Sequence, residues 1–356
     1  MTSYIPEATT TIAHPHVESD GSWIMCGMNL KYKRQHYTIL RYRGGKEAVD
    51  STNICEHAEV IAEIPSSHSL GLSYFHSFGV TENFIIFLEQ SLKFSLTSFL
   101  TGLISNKSFK DALIMDESFN TRIHIIDKKT GEIRKQKYLT DPLFLFHHIN
   151  AYEKKDASNH LTELICDICA YDPKFFDINA LSYAGFLTKE NTGTKKLHSI
   201  GRRITIPFGE KQDKPIYCQI KDINSDLAFE LPTINYLRFN GKFYKYFYGV
   251  NYHQRPFSVV KINVENPSEV WQKSYDRDGE EYLPSEPVFA ENPNPQSEDD
   301  GVLLVMVLSK KNDYLSILDA KNLNEIAQGI VPEKVLASFT FHGFFADKKA
   351  FKVLNA

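Results

Sequence analysis

The sequence predicts an all-β fold of the β-propeller type, on two observations. First, the 356 residues hold 25 Phe and 18 Tyr within a 42% hydrophobic composition. Such residues suit pleated strands and apolar ligand tunnels better than helical bundles. Second, one hairpin pattern recurs. Residues 123–132 read as an apolar strand, Asp127, a polar turn and the start of a second strand; residues 314–323 repeat this around Asp319, and residues 258–267 are a looser copy around Asn263. Repeated antiparallel hairpins of this form are the outer edges of propeller blades. Any antiparallel protein has hairpins, so three copies favour a propeller without requiring one. The length is ample for a packed core, and large all-β folds often run this long, so residues 1–356 read as one domain.

Two stretches depart from the strand pattern. Residues 91–113 carry Leu92, Phe94, Leu96, Phe99, Leu100, Leu103, Ile104 and Phe109 with Lys93, Lys107 and Lys110 among them. This is an amphipathic helix that lies on a membrane surface or packs on the sheet; the sequence leaves both open. Residues 291–301, with Pro293, Pro295 and Glu298-Asp299-Asp300-Gly301, read as a solvated loop before a strand over 302–308.

Charge and punctuation exclude several classes. The net charge is -4 and there is no basic stripe, so nucleic acid is not an expected partner. Met1-Thr2-Ser3-Tyr4 opens no basic or long apolar run, so no secretory signal is expected. The most apolar stretch, 84–104, is interrupted by Glu89, Gln90 and Lys93 and is not a membrane span. Cys166 and Cys169 form a Cys-x-x-Cys, but in an alternating, strand-like run. Residues three apart on a strand face opposite sides, so these are expected to be ordinary buried thiols rather than a zinc or redox pair.

The chemistry points to histidine. His14, His76, His147 and His342 each lie in or beside an apolar, aromatic stretch. A buried imidazole needs a partner, and four neutral imidazoles that converge make a metal site; the alternative is four separately satisfied core histidines. Neighbouring histidines complicate two of the four. His147 and His148 face opposite ways on a strand, whereas His14 and His16 share a face.

Six blocks carry a resemblance. They are Ala13-His14-Pro15-His16, the run Tyr74-Phe75-His76-Ser77-Phe78-Gly79, Phe146-His147-His148-Ile149-Asn150-Ala151-Tyr152-Glu153, Phe229-Glu230-Leu231-Pro232, Tyr282-Leu283-Pro284-Ser285-Glu286-Pro287 and Phe341-His342-Gly343. In kind and order they resemble the carotenoid cleavage oxygenase family, in its animal branch of beta-carotene oxygenases and the retinoid isomerase of the retinal pigment epithelium. The resemblance implies a seven-bladed propeller with a helical cap and one Fe(2+) per chain, held by His14, His76, His147 and His342, with His14 preferred to His16 and His147 to His148 by motif alone. It implies that Glu230 and Glu286 anchor ligand imidazoles, with Glu153 a weaker candidate for which a structural role is equally expected. No acid–base residue beyond the metal centre is implied. Tyr74, Phe75, Phe78, Phe341 and Phe344, as neighbours of ligands, are candidate tunnel aromatics, with core packing the expectation for most of them.

The implied reaction is cleavage of a double bond in a carotenoid or apocarotenoid with O2, giving aldehyde or ketone products of the retinal type. The alternatives are a retinoid isomerohydrolase on the same fold and a non-catalytic product. An apolar substrate implies a peripheral membrane surface as partner, in the cytoplasm or in mitochondria. Relatives of this kind carry well over a hundred residues before the first histidine block, which here sits at residue 14. The expectation is therefore a chain lacking about the first two blades and a third anchoring glutamate.

Overall fold

The computed structural model describes residues 10–29, 35–43, 58–68, 71–105, 109–181, 194–209, 212–277, 280–310, 312–332, 335, 337–338 and 341–345. Among them, five antiparallel sheets of four or five strands follow one another along the chain. The first holds Thr10–Thr11, His16–Val17, Trp23–Asn29, His36–Tyr42 and Ala58–Pro65. The second runs Gly79–Val80, Phe84–Glu89, Thr121–Asp127 and Tyr138–Thr140, and Ile216–Tyr217 joins its outer edge in parallel. The third is Phe144–Lys155, Leu161–Tyr171, Ser199–Pro207 and Gln219–Ala228; the fourth is Glu230–Thr233, Tyr246–Asn251, Ser258–Asn263 and Val270–Ser274. In the fifth, Leu283–Pro284 and Val288–Glu291 both pair with Gly301–Leu308, followed by Tyr314–Asp319 and Glu325–Ile330. The three hairpin repeats seen in the sequence begin on strands of the second, fourth and fifth sheets.

The sheets stack face to face, and alternation along each strand supplies two cores at once. Ile85 and Phe87 pack with Ile24, Ile39 and Ile64 of the first sheet, while Ile86 and Leu88 pack with Cys166, Ile168 and Ile204 of the third. This is why 84–88 is an unbroken apolar run: both faces are dry. Cys166 and Cys169 obey the same rule. Cys166 lies in the core between the second and third sheets, and Cys169 in the core between the third and fourth. Tyr248, Val250 and Val259 meet Leu303, Val305 and Val307 between the fourth and fifth.

Polar ties cross the same interfaces. Lys261, only 1% exposed, reaches from the fourth sheet to Asp299 Oδ2 at 2.7 Å and the Lys321 carbonyl at 2.8 Å. The Tyr246 and Trp271 rings lie 4.1 and 4.6 Å from its ammonium, so the charge is both paired and faced by π-electrons. Gly131 (φ +72°) ends the turn after Asp127 against the Ile61 carbonyl; a Cβ there would sit 2.1 Å from that oxygen. Only glycine joins the first and second sheets so closely.

Helix is scarce. Residues 91–113, expected as one helix, divide into the strand Leu92–Ser95, the helix Leu96–Ser105, the short 3-10 turn Phe109–Ala112 and the start of the strand Leu113–Met115. The first and last of these pair with each other, because Leu92 and Phe94, both buried in the sheet, are worth more there than on an isolated helix face. The side chains of Phe99, Leu100, Leu103, Ile104 and Phe109, on which the expected membrane-facing surface rests, lie outside the described residues. Among those described, no helix is long and apolar enough to cross a membrane.

Candidate metal centre

The four singled-out histidines come from four separate places in the fold. His14 precedes the strand His16–Val17, and His76 lies in the loop between Gly71–Ser73 and Gly79–Val80. His147 is on Phe144–Lys155, and His342 follows the fifth sheet. They meet. One ring nitrogen from each lies within 4.8 Å of the others. The His14 ring centroid is 4.4 Å from His342, 4.7 Å from His76 and 5.0 Å from His147. The planes cross at steep angles, 90° for His14 with His342 and 86° for His76 with His147, so nitrogens rather than ring faces converge.

The outward nitrogens show which atoms face inward. His147 Nδ1 is 2.7 Å from Glu230 Oε2. A carboxylate only accepts, so Nδ1 carries the proton and Nε2 keeps its lone pair. That Nε2 is buried without a partner, as is His14 Nε2. His342 Nδ1 donates to Glu286 Oε1 at 3.3 Å, and the Gly343 N–H holds Glu286 Oε2 at 2.9 Å. His76 Nδ1 meets the Tyr74 hydroxyl at 3.2 Å. Two buried ring nitrogens without a partner in a ring of four imidazoles are what a divalent ion would satisfy, and no carboxylate enters that ring among the described residues. Burial, then the neighbouring imidazoles, push His14 down to about 2, and burial, then His147 and His342, push His76 down to about 4, so both stay neutral and ready to ligate.

Backbone irregularity aims these groups. The pairing of Phe144–Lys155 with Leu161–Tyr171 slips between Leu145 and His148 and again between His148 and Asn150, so a bulge re-aims His147. Leu231 is left-handed (φ +53°) although buried, and its N–H donates to Glu230 Oε2 at 3.0 Å. One carboxylate oxygen thus serves both His147 and its own neighbour, and the strain, of order 1–2 kcal/mol, is spent at the site.

The neighbouring histidines go elsewhere. His16 Nε2 donates to the Phe78 carbonyl at 2.8 Å and Nδ1 accepts from Tyr236 Oη at 3.0 Å. His148 Nδ1 bonds Ser77 Oγ at 2.7 Å, and burial takes His148 down to about 3. Glu153 accepts from Thr81 Oγ1 and from the backbone and side-chain nitrogens of Asn83, tying a turn to the third sheet rather than anchoring a ligand. Among the aromatics, Phe75 and Phe78 are core between the first two sheets, whereas Phe341 and Phe344 are 58% and 79% exposed and so do not pack in the core. Tyr74 belongs to an aromatic group with Phe144, Phe146, Tyr171 and Phe176 that adjoins His76, Phe146 lying 5.5 Å from its ring.

Three residues that support the site were given no role by the sequence, although Ser77 and Asn150 lie within the blocks quoted above. Gln90 accepts the Leu145 N–H at 2.8 Å and gives its amide to the Tyr74 carbonyl at 2.8 Å and the Leu145 carbonyl at 3.1 Å. Ser77 Oγ donates to the Phe146 carbonyl at 2.8 Å and accepts the His148 N–H at 2.9 Å. Asn150 holds the Gly241 N–H and the Phe239 and Lys242 carbonyls. All serve backbone groups far away in sequence, which no local motif announces.

Comparison with known proteins agrees in extent with this geometry. A family model described as retinal pigment epithelial membrane protein matches residues 2–347. The mitochondrial carotenoid-cleaving dioxygenase of Mustela putorius furo is 31% identical over 371 residues, covering 94% of this chain and 65% of that protein. The beta,beta-carotene 15,15'-dioxygenase of Gallus gallus is 32% identical, covering 94% and 66%. The chain thus spans just under two thirds of the length of these relatives. Two solved structures, cobalt-substituted Synechocystis ACO and the Glu-to-Asp variant of Synechocystis apocarotenoid oxygenase, superpose with TM-scores of 0.69 and 0.67. Each is 19% identical and covers 90% of this chain and 62% of that one, so they share its propeller fold. With the family model spanning nearly every residue and relatives above 30% identity, the chain belongs to the carotenoid cleavage oxygenase family.

Proposed function

We propose that this chain carries the iron centre of an oxygenase that cleaves a double bond of a carotenoid or apocarotenoid with O2, giving retinal-type aldehyde or ketone products. The observation that carries the reading is the convergence of four imidazoles with no carboxylate in the ring among the described residues, His147 held by Glu230 so that its buried Nε2 is left without a partner, as is the buried Nε2 of His14. His14, His76, His147 and His342 would hold one Fe(2+), which supplies redox activation of O2. Glu230 and Glu286 hold the proton on Nδ1 of His147 and His342 and fix the ring planes. The aromatic group of Tyr74, Phe144, Phe146, Tyr171 and Phe176 offers an apolar wall beside His76 that would exclude water and lay a polyene against the centre. The names of the relatives support the substrate class and the use of O2. So apolar a substrate is delivered from a lipid surface, so the working location is a membrane face, in the cytoplasm or in mitochondria.

The test is to load the chain with Fe(2+), measure metal stoichiometry, and incubate with beta-carotene and a series of apocarotenoids under labelled O2. One iron per chain and labelled carbonyl products are expected. Isomerised product without label would assign the isomerohydrolase reading instead, and neither metal nor product would refute both.

A further inference from the structure

Away from the histidines, a cleft of about 420 Å³ opens at the rim of the core between the second and third sheets, a volume within the range of small-molecule sites. Its apolar side is Ile125 and the ring of Phe84, which lies 5.1 Å from the ring of Phe208 at the end of the third sheet's strand Ser199–Pro207. Both sheets build it. Gln136, 5% exposed, accepts the Gln212 N–H at 2.6 Å and donates to the Lys214 carbonyl at 3.0 Å, so the chain leaving the third sheet is held across the second. Arg134 stacks its guanidinium on Phe208, 3.9 Å from the ring centroid, and donates through Nε to Tyr138 Oη at 3.1 Å and through Nη2 to the Gly209 carbonyl.

Four charged side chains line the cleft: Asp127, Glu132, Arg134 and Lys135. Asp127 Oδ1 accepts the Thr130 N–H at 2.7 Å and the Lys129 N–H at 2.9 Å, which fixes the carboxylate and holds it below its ordinary range. Opposite charges therefore share one cleft, and among the described residues none of the four forms an ion pair. The Glu132 carboxylate and the Lys135 ammonium have no polar partner there at all.

We propose that this cleft binds a free α-amino acid with a large apolar side chain, its ammonium taken by Asp127 and Glu132, its carboxylate by Arg134 and Lys135, and its side chain laid on Phe84 and Ile125. The match is one of charge and shape. An α-amino acid carries one charge of each sign a few bonds apart and a single apolar branch, which is the order in which the cleft offers its partners. A ligand with one charge leaves either the acids or the bases unmatched, and a wholly apolar ligand covers all four charges without pairing any. Charge-assisted hydrogen bonds are the strong ones, and a guanidinium already held flat on an aromatic ring meets a carboxylate with little further ordering. The site is independent of the metal-centre reading, since no histidine takes part in it. Its occupant would touch groups carried by both sheets and so stabilise their junction.

The experiment titrates the whole chain with L-leucine, L-phenylalanine, N-acetyl-L-leucine, which lacks the ammonium, and L-leucinamide, which lacks the carboxylate. Binding is read by saturation-transfer NMR and calorimetry. Both free amino acids should saturate, and each blocked analogue should bind at least about 10-fold more weakly, the loss expected for one charged hydrogen bond. Glu132→Gln should weaken L-leucine and L-leucinamide and leave N-acetyl-L-leucine unchanged; Lys135→Gln should do the reverse, weakening L-leucine and N-acetyl-L-leucine alone. Both side chains are at the surface, so the melting temperature of each unliganded variant should stay within about 1 °C of the wild type. No saturable binding of either amino acid up to about 10 mM overturns the proposal, since even a ligand of this size with ordinary efficiency would bind below that. Equal binding of the blocked analogues, or affinities that neither variant changes, overturns it as well. If a variant does not fold, the ranking of the four ligands on the wild type decides by itself.

Discussion

His147 shows how much one carboxylate decides. Its Nδ1 and the Leu231 N–H converge on the same oxygen of Glu230, at 2.7 and 3.0 Å, so the carboxylate sets both the ring's tautomer and the strained turn that presents it. Replacing Glu230 by Gln keeps the shape but offers an amide that both donates and accepts, so Nδ1–H is no longer enforced. Metal affinity should fall by about 10- to 100-fold, read by chelator competition; equal affinity in Glu230→Gln would show that the turn, not the charge, orients the imidazole. Glu230 and the four histidines that converge were legible because short blocks mark them. The rejection of His16 and His148 was legible only by motif, since an isolated strand places His14 and His16 on one face; their true partners, Tyr236 Oη, the Phe78 carbonyl and Ser77 Oγ, lie in other elements.

Among elements, the loop carrying His76 and the strand carrying His147 are joined through Gln90, 1% exposed, which saturates backbone groups on both. Gln90→Leu fills the same space and leaves the Tyr74 carbonyl and the Leu145 N–H and carbonyl without that partner. A stability loss of at least about 2 kcal/mol is expected from urea unfolding, together with weaker metal retention because His76 and His147 lose their mutual register. Full stability in Gln90→Leu would place the tie elsewhere. Read in sequence, Gln90 was only a polar interruption of an apolar stretch; its value depends on a strand some fifty-five positions away. The helix shows the converse. Amphipathic periodicity in 91–113 was real, but a three-stranded sheet of Gly71–Ser73, Leu92–Ser95 and Leu113–Met115 claims its two ends and leaves Leu96–Ser105 helical.

For the molecule as a whole, buried neutral histidines set the response to acid. His14, His76 and His148 have folded-state values pushed below 6.5 chiefly by burial, to about 2, 4 and 3. The unfolded chain therefore takes up protons first. Their contribution is fully present above about pH 6.5 and is lost as pH falls toward those values, at up to about 1.4 kcal/mol per pH unit for each imidazole. Metal-free protein should melt at a clearly lower temperature at pH 5 than at pH 7, and a bound ion should raise both melting temperatures without removing the difference, because it is the unfolded chain that takes up the protons. A melting temperature independent of pH over that range would mean these rings are hydrated. The stacking of sheets was foreshadowed by unbroken apolar strands such as 84–88, whereas the parallel addition of Ile216–Tyr217 to Tyr138–Thr140 was not, because the two segments share no local pattern.

The placement of the four imidazoles also bears on how the fold comes apart. Each of these four cores lies between sheets adjacent in the chain, so each sheet is held to its neighbours one interface at a time. His14 belongs to the first sheet's end of this series and His342 follows the last. A bond from both to one ion, shared with His76 and His147, would tie together sheets that share no core among the described residues. Cooperativity would then be conferred by the ligand rather than by the cores: one all-or-none transition when the staple is closed, and a broader, stepwise one when it is open.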